Sequence, residues 1–377
     1  MLDFVQEFSA LWMNGAIRGL DGLRRGLTST FPTNEDPPPT TSSEILYEGG
    51  KLRLRYYQPV GKPLTTPLLL VYALVKRPFI LDLQPGISVI DNLTRQGIPL
   101  YLTDWIPPTD SDTGHGFDAY VNGDLVNAVR TVQEHAGVSQ VSMLGYCFGG
   151  LLSTIYTALH PEMVKNLITL SVPLDWSRQN IPLFGLTKQV DPRLITDTFG
   201  NCPAWMVKTM FSALSPVHHA FDKYVSLYRN KEREGYSEMF ERFERWMNSD
   251  VPLAGQIFRE LHTNLIQGNQ LAQNRMQVGG QLVDLRHITC PLLNILGEHD
   301  DVVQPQATEP LTDAVGSRDK QTLSFPAGHI GVVVSSSAQK RLWPQVGAWL
   351  KQHDRRRSAR RKKPVSTLRP RTETILH

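Results

Sequence analysis

The stretch Gly145-Tyr146-Cys147-Phe148-Gly149-Gly150 decides how this chain is read. Residues 140–144 before it form a short apolar run suited to a buried strand, and residues 151–159 after it carry helical periodicity. Strand, Gly-x-Cys-x-Gly and helix together make a sharp turn that lifts a nucleophile off a sheet onto a helix N-terminus. The flanking glycines permit the strained, close-packed backbone that such a turn needs. There the helix dipole and free backbone N–H groups, that of Phe148 among them, favour a thiolate and a developing oxyanion. The bland alternative is a small buried core cysteine. The strand-to-helix setting favours catalysis by Cys147.

Working outward, residues 52–57 alternate like a half-buried strand, and residues 67–74 form a continuous apolar run, as a strand of a parallel sheet should. Residues 88–95 read as helix, 99–102 as strand, 119–135 as a long helix and 166–171 as another strand. Repeated strand–helix units predict an α/β chain with a doubly wound, mostly parallel sheet. Between residues 177 and 285 strand signals vanish, and helical segments rich in aromatics replace them, Trp205, Phe211, Tyr224, Phe240 and Trp246 among them. Sheet signals resume at 291–296 and 321–325, with a closing helix over 338–350. The expected organisation is an amphipathic helix and Pro-rich linker over 1–43 and a catalytic core over 44–176 and 286–352. A helical cap insertion over 177–285 and a basic, disordered tail over 353–377 complete it.

A chain of 377 residues with 41% hydrophobic content can bury a large core. Its three cysteines, Cys147, Cys202 and Cys290, are too few and scattered for a disulfide framework, which predicts a reducing, cytoplasmic setting. No apolar run approaches the roughly 18 residues that span a bilayer. Asp3 and Glu7 stand where a signal peptide would be basic. Residues 351–377 hold ten Lys/Arg against two acids, a net +8 that leaves −5 on residues 1–350 of a +3 chain. Such a block is a solvated extension that can meet an anionic surface. At the other end, Val5, Phe8, Trp12, Ala16, Leu20, Leu23 and Leu27 recur at helical spacing, the stripe of a helix packed on its own domain or a partner.

An α/β-hydrolase fold places nucleophile, acid and histidine in that chain order at the carboxyl ends of strands. Here the 292–296 strand is followed by Gly297-Glu298-His299-Asp300-Asp301, and the 321–325 strand by Pro326-Ala327-Gly328-His329-Ile330-Gly331. His329 would take the thiol proton and return it to a leaving group while a carboxylate orients the imidazole. Local pattern does not choose between Asp300 and Asp301, since either can cap the following turn. The second oxyanion donor is expected from the loop after the 67–74 strand, at Leu74 or Val75. Lys76 and Arg77 in that loop either hold a phosphate-bearing substrate or are surface charge.

Several separated motifs make the chain resemble the poly(3-hydroxyalkanoate) synthases. These are the segment from Val71-Tyr72-Ala73-Leu74-Val75-Lys76-Arg77-Pro78 to Gly86, Tyr101-Leu102-Thr103-Asp104-Trp105, the Cys147 elbow, and Gly328-His329-Ile330-Gly331 followed by Val334-Ser335-Ser336. A weaker match lies at 265–271, with Ile266 where the family has Tyr. The short class III catalytic subunit fits best. The resemblance implies Cys147 as nucleophile, Asp300 as the acid and His329 as the base, with no metal and no cofactor. It implies chain growth from (R)-3-hydroxyacyl-CoA, short-chain monomers such as 3-hydroxybutyryl-CoA included, through an acyl-Cys147 intermediate with CoA released. Lys76, Arg77, Tyr72 and Asp301 complete the candidate substrate contacts. The partners implied are the growing polyester, a noncatalytic second synthase subunit or a second copy of the chain, and the location is a cytoplasmic polymer granule. Two departures stand out: Lys76 where the family has Asn, and Asp301 where it has His with a proline soon after. The alternatives are a Cys-dependent dienelactone-type hydrolase, whose chains are shorter and lack the insertion, and a noncatalytic granule-binding homologue.

Overall fold

The structure, a computed structural model, describes residues 36–180, 188–214 and 236–360. Its centre is a sheet of eight strands. In chain order these are β1 (Glu44–Gly49), β2 (Leu52–Tyr57), β3 (Leu68–Val71), β4 (Leu100–Trp105), β5 (Val141–Tyr146), β6 (Val164–Leu170), β7 (Leu292–Gly297) and β8 (Lys320–Phe325). In space they run β1-β2-β4-β3-β5-β6-β7-β8. The β1–β2 and β2–β4 pairs are antiparallel and the rest parallel. Every residue of β3, β4, β5 and β7 is buried, because helices cover both faces of the sheet's centre. Fully burying side chains such as Leu68, Leu69 and Leu70 is worth roughly 1.5–3 kcal/mol each. The edge strand β8 is mostly exposed and reads accordingly, as KQTLSF.

Helices α1 (Val89–Thr94), α2 (Val126–Ala136) and α3 (Phe148–Leu159) alternate with the strands. Ser88 caps α1 by accepting the Asp91 N–H. The predicted 119–135 helix opens as a wide turn at Ala119–Leu125, then continues as α2 to Gly137, a left-handed residue that ends it.

Between β6 and β7 lie α4 (Arg193–Phe199), α5 (Ala204–Leu214), α6 (Tyr236–Met247) and α7 (Gly255–Glu260), the last prolonged by a wide turn at Leu261–Gln267. This stretch is not free of strand: Gln277–Val278 pairs with Gln281–Leu282. Gly279 and Gly280 both take positive φ, the backbone of a two-residue hairpin turn. Strands of two residues are too short to show periodicity, which is why the sequence reading passed over them.

Both termini depart from expectation. The last helix, α8 (Trp343–Arg360), runs beyond the expected boundary at residue 352. Asp354 explains it: its carboxylate accepts the N–H groups of Thr65 and Thr66 and the Thr66 hydroxyl, and pairs with Lys165 at 3.2 Å. The remaining tail lies outside the described residues, as does the 1–27 stripe. Residues 36–43, expected as linker, lie against the domain: Thr41 gives two hydrogen bonds to Asp82, and Asp36 pairs with Arg77 at 2.7 Å. Among the described residues no helix is long and apolar enough to cross a membrane.

Candidate active site

Strand β5 delivers Cys147 directly to the N-terminus of α3. Cys147 sits at φ 54°, ψ −119°, a strained backbone for a residue with a Cβ. Its N–H donates to the carbonyl of Leu170 at the end of β6 (2.9 Å), and its own carbonyl accepts from Gly150 (2.9 Å). The turn closes this tightly because a Cβ on Gly149 would run into the carbonyl oxygens of Val71 and Tyr72, and one on Gly145 would meet the Gly149–Gly150 backbone. Phe148, first residue of the helix, carries one of the N–H groups that have no acceptor within it.

Asp300 follows β7 in a turn closed by its N–H on the Gly297 carbonyl. One carboxylate oxygen accepts the N–H groups of Val302 (3.0 Å) and Val303 (2.7 Å); the other faces His329 Nδ1 at 2.8 Å. The neighbouring Asp301 is half-buried and is not the carboxylate that faces His329. The choice that local pattern left open is made by tertiary contact. His329 follows β8, with its Nδ1 turned to Asp300 and with Cys147 near enough for its charge to act on the ring. Tyr146 stacks on the ring (5.2 Å, 30°) and donates its buried hydroxyl to the His329 carbonyl at 2.8 Å. Burial disfavours the imidazolium, but the Asp300 carboxylate and the Cys147 sulfur outweigh it and raise the His329 pKa well above its ordinary value. A His329 ring set against the Asp300 carboxylate, near Cys147 and a helix N-terminus, is suited to pass one proton back and forth during acyl transfer.

The other candidates lie in the loop at 72–77. Tyr72 is fully buried, accepts a hydrogen bond from Trp246 Nε1 at 3.1 Å, and lies 6.0 Å from the Tyr146 ring. Burial pushes its hydroxyl pKa up, with the Cys147 charge adding to the effect. Lys76 donates to the Met247 carbonyl (2.7 Å) and pairs with Asp250 (2.8 Å). Arg77 pairs with Asp36 and Asp104 and donates to the Trp105 carbonyl. Both cations therefore face carboxylates of this chain. Val75 lies in the loop after β3, and Phe148 is the first residue of α3. Sequence reasoning gave no role to Tyr146, Trp246 or Asp250, whose bonds to His329, Tyr72 and Lys76 join segments over 170 residues apart. Among the described residues no cluster of three or more His, Cys, Asp or Glu side chains could hold a metal ion.

A family model of the α/β hydrolase fold matches residues 66–335. A putative lipase from Sulfolobus solfataricus superposes with a TM-score of 0.53 at 15% identity, over 80% of this chain and 89% of that one, a likeness of fold alone. The poly(3-hydroxyalkanoate) polymerase subunit PhaC of Allochromatium vinosum is 38% identical over 331 residues, covering 87% of this chain and 93% of the relative. The chain belongs to the PhaC family. Two further PhaC proteins bracket the match. That of Synechocystis sp. is 34% identical over 93% of this chain and 91% of its own. That of Haloferax mediterranei is 38% identical over 82% of this chain, which spans 63% of that longer PhaC.

Proposed function

We propose that this PhaC family member polymerises (R)-3-hydroxyacyl-CoA into polyhydroxyalkanoate through an acyl-Cys147 intermediate, as a class III type catalytic subunit. The observation that carries the reading is the His329 ring facing Asp300 at 2.8 Å with Cys147 near enough to act on its charge, in a chain of this family. The Cys147 thiolate attacks the CoA thioester carbonyl, and the oxyanion is received by the N–H groups of Phe148 and Val75. Collapse expels the CoA thiolate, which takes a proton from the His329 imidazolium and leaves acyl-Cys147 and CoA. The 3-hydroxyl of one unit then loses its proton to His329 and attacks the acyl thioester of another. An ester bond forms and a thiol is released. Thioester-to-thioester exchange is close to energy-neutral, which suits a Cys nucleophile to CoA substrates. Residues 177–285, as a cap domain on a core of 44–176 and 286–352, would limit water at the site. A second subunit and a polyester granule in the cytoplasm are the expected partner and place.

Purified protein given 3-hydroxybutyryl-CoA, with and without a candidate second subunit, tests this. The expected outcome is CoA release with insoluble polyester. Free 3-hydroxybutyrate as the sole acyl product would identify a hydrolase instead, and no Cys147-dependent CoA release would leave a binding protein.

A further inference from the structure

The loop at 72–77, which leaves β3 beside the nucleophile, is shaped by a segment far away in sequence. The C-terminal end of α6 and the turn after it hold it at four residues. Trp246 Nε1 is shared between the Tyr72 hydroxyl (3.1 Å) and the Arg77 carbonyl (3.0 Å), bracketing the loop at both ends. Ser249 Oγ accepts from the Arg77 N–H, and the Val251 N–H donates to the Val75 carbonyl, both at 3.4 Å. Lys76 makes the strongest link. Its ammonium donates to the Met247 carbonyl at the end of α6, pairs with Asp250, and lies 5.5 Å over the Trp246 ring. The Asp250 side chain is 4% exposed, and Lys76 is its ion-pair partner. A carboxylate buried that deeply holds its cation in one place, because separating them would leave an uncompensated charge out of water.

We propose that Lys76 is a positioning residue for the acyl-transfer reaction: through Asp250 and the α6 end it fixes the 72–77 loop so that the Val75 N–H is set for the oxyanion formed at Cys147. This deepens the reading above and rests on it. Lys76 then acts on the loop and not on the substrate, and the helical insertion builds part of the oxyanion site. The consequence is specific. Loss of the clamp slows attack at a carbonyl, which needs an oxyanion donor, and spares attack at a saturated carbon, which does not.

The full chain is compared as wild type, Lys76→Met, Lys76→Arg and the electrically neutral Lys76→Met/Asp250→Asn. Two rates are read on each: single-turnover CoA release from 3-hydroxybutyryl-CoA, and alkylation of Cys147 by iodoacetamide. The expected result is a fall in CoA release of about 10- to 100-fold in Lys76→Met, with alkylation little changed and partial recovery in Lys76→Arg. If Lys76→Met does not fold because Asp250 is left unpaired, the double variant is read in its place and should show the same split. Unchanged CoA release, or equal losses in both rates, would overturn the clamp while leaving the reaction standing. A wild type that is alkylated at Cys147 yet releases no CoA would overturn the proposed reaction, and the clamp with it.

Discussion

At the carboxyl ends of the parallel strands, Cys147, His329 and Asp300 converge. At the amino ends, Cys290, His353 and Asp319 line a cavity together with Lys165. The residue types are the same, yet the two groups are built differently. His353 turns Nδ1 to the Trp349 carbonyl (2.7 Å) and Nε2 to Asp319 (3.2 Å), so both ring nitrogens are spoken for. His329 gives Nδ1 to Asp300, and Cys147 lies near enough for its charge to act on the ring. Cys147 heads a twelve-residue helix at positive φ, whereas Cys290 lies just before the strand β7. The setting given to a thiol and a histidine thus follows which strand ends they occupy, and composition alone does not set it. Cys202 makes the same point from the interior: it is buried, and burial pushes its thiol up to about 12.

The sharpest way to break this contrast is to remove each thiol. Cys147→Ala should cut CoA release by roughly 10⁴-fold or more, since loss of a nucleophile is not compensated. Cys290→Ala and Cys202→Ala should turn over near the wild-type rate, and a comparable loss in Cys290→Ala would erase the distinction. Next in size is Asp300→Asn, which should lower the rate about 10²- to 10⁴-fold by disorienting His329.

That substitution also has a signed pH signature. The folded-state pKa of His329 is raised, so its stabilising interaction is fully present below the ordinary histidine value and is lost as pH rises through the raised one. NMR titration of the His329 ring should show deprotonation well above pH 6.5 in the wild type, moving down in Asp300→Asn. A His329 titration unchanged by Asp300→Asn would remove the carboxylate as its cause.

The smallest effect belongs to the amino end. Asp354→Ala should cost about 1–3 kcal/mol of unfolding free energy, by leaving the Thr65–Thr66 N–H groups without an acceptor and Lys165 without its carboxylate. Turnover should stay unchanged. Burial opposes the ionised form of Asp354, but bonds from Thr66, Thr65 and Lys165 prevail and hold its pKa below the usual carboxylate value. Its stability contribution is therefore present above that usual value and fades as pH falls through the lowered one. A chemical denaturation series over pH, with turnover measured in parallel, reads both.

Much of the sheet was visible from burial alone. The apolar runs around 67–74, 140–144 and 291–296 became β3, β5 and β7, since strands covered on both faces must be apolar throughout. The antiparallel edge strand β1 was missed, because EILYEG is half exposed and lacks that signature. Of the three converging residues, Cys147 and His329 were legible through glycine spacing and strand order. Local pattern could not separate Asp300 from Asp301, because adjacent carboxylates share the same local signals, and only the family resemblance pointed to Asp300. The roles of Lys76 and Arg77 were equally open, since a cation's sequence context does not reveal which carboxylate will be folded against it.

The sequence by itself determined the alternation of strand and helix, the elbow that carries Cys147 and the chain order of Cys147, Asp300 and His329. These depend on residues within a few positions of one another, where periodicity, glycine tolerance and capping act. Tertiary structure alone decided how the Asp300 carboxylate meets His329, that Tyr146 buttresses the ring, and that α6 grips the 72–77 loop through Trp246, Lys76 and Asp250. Those contacts join side chains up to 183 positions apart. Their strength comes from burial, which no local pattern records.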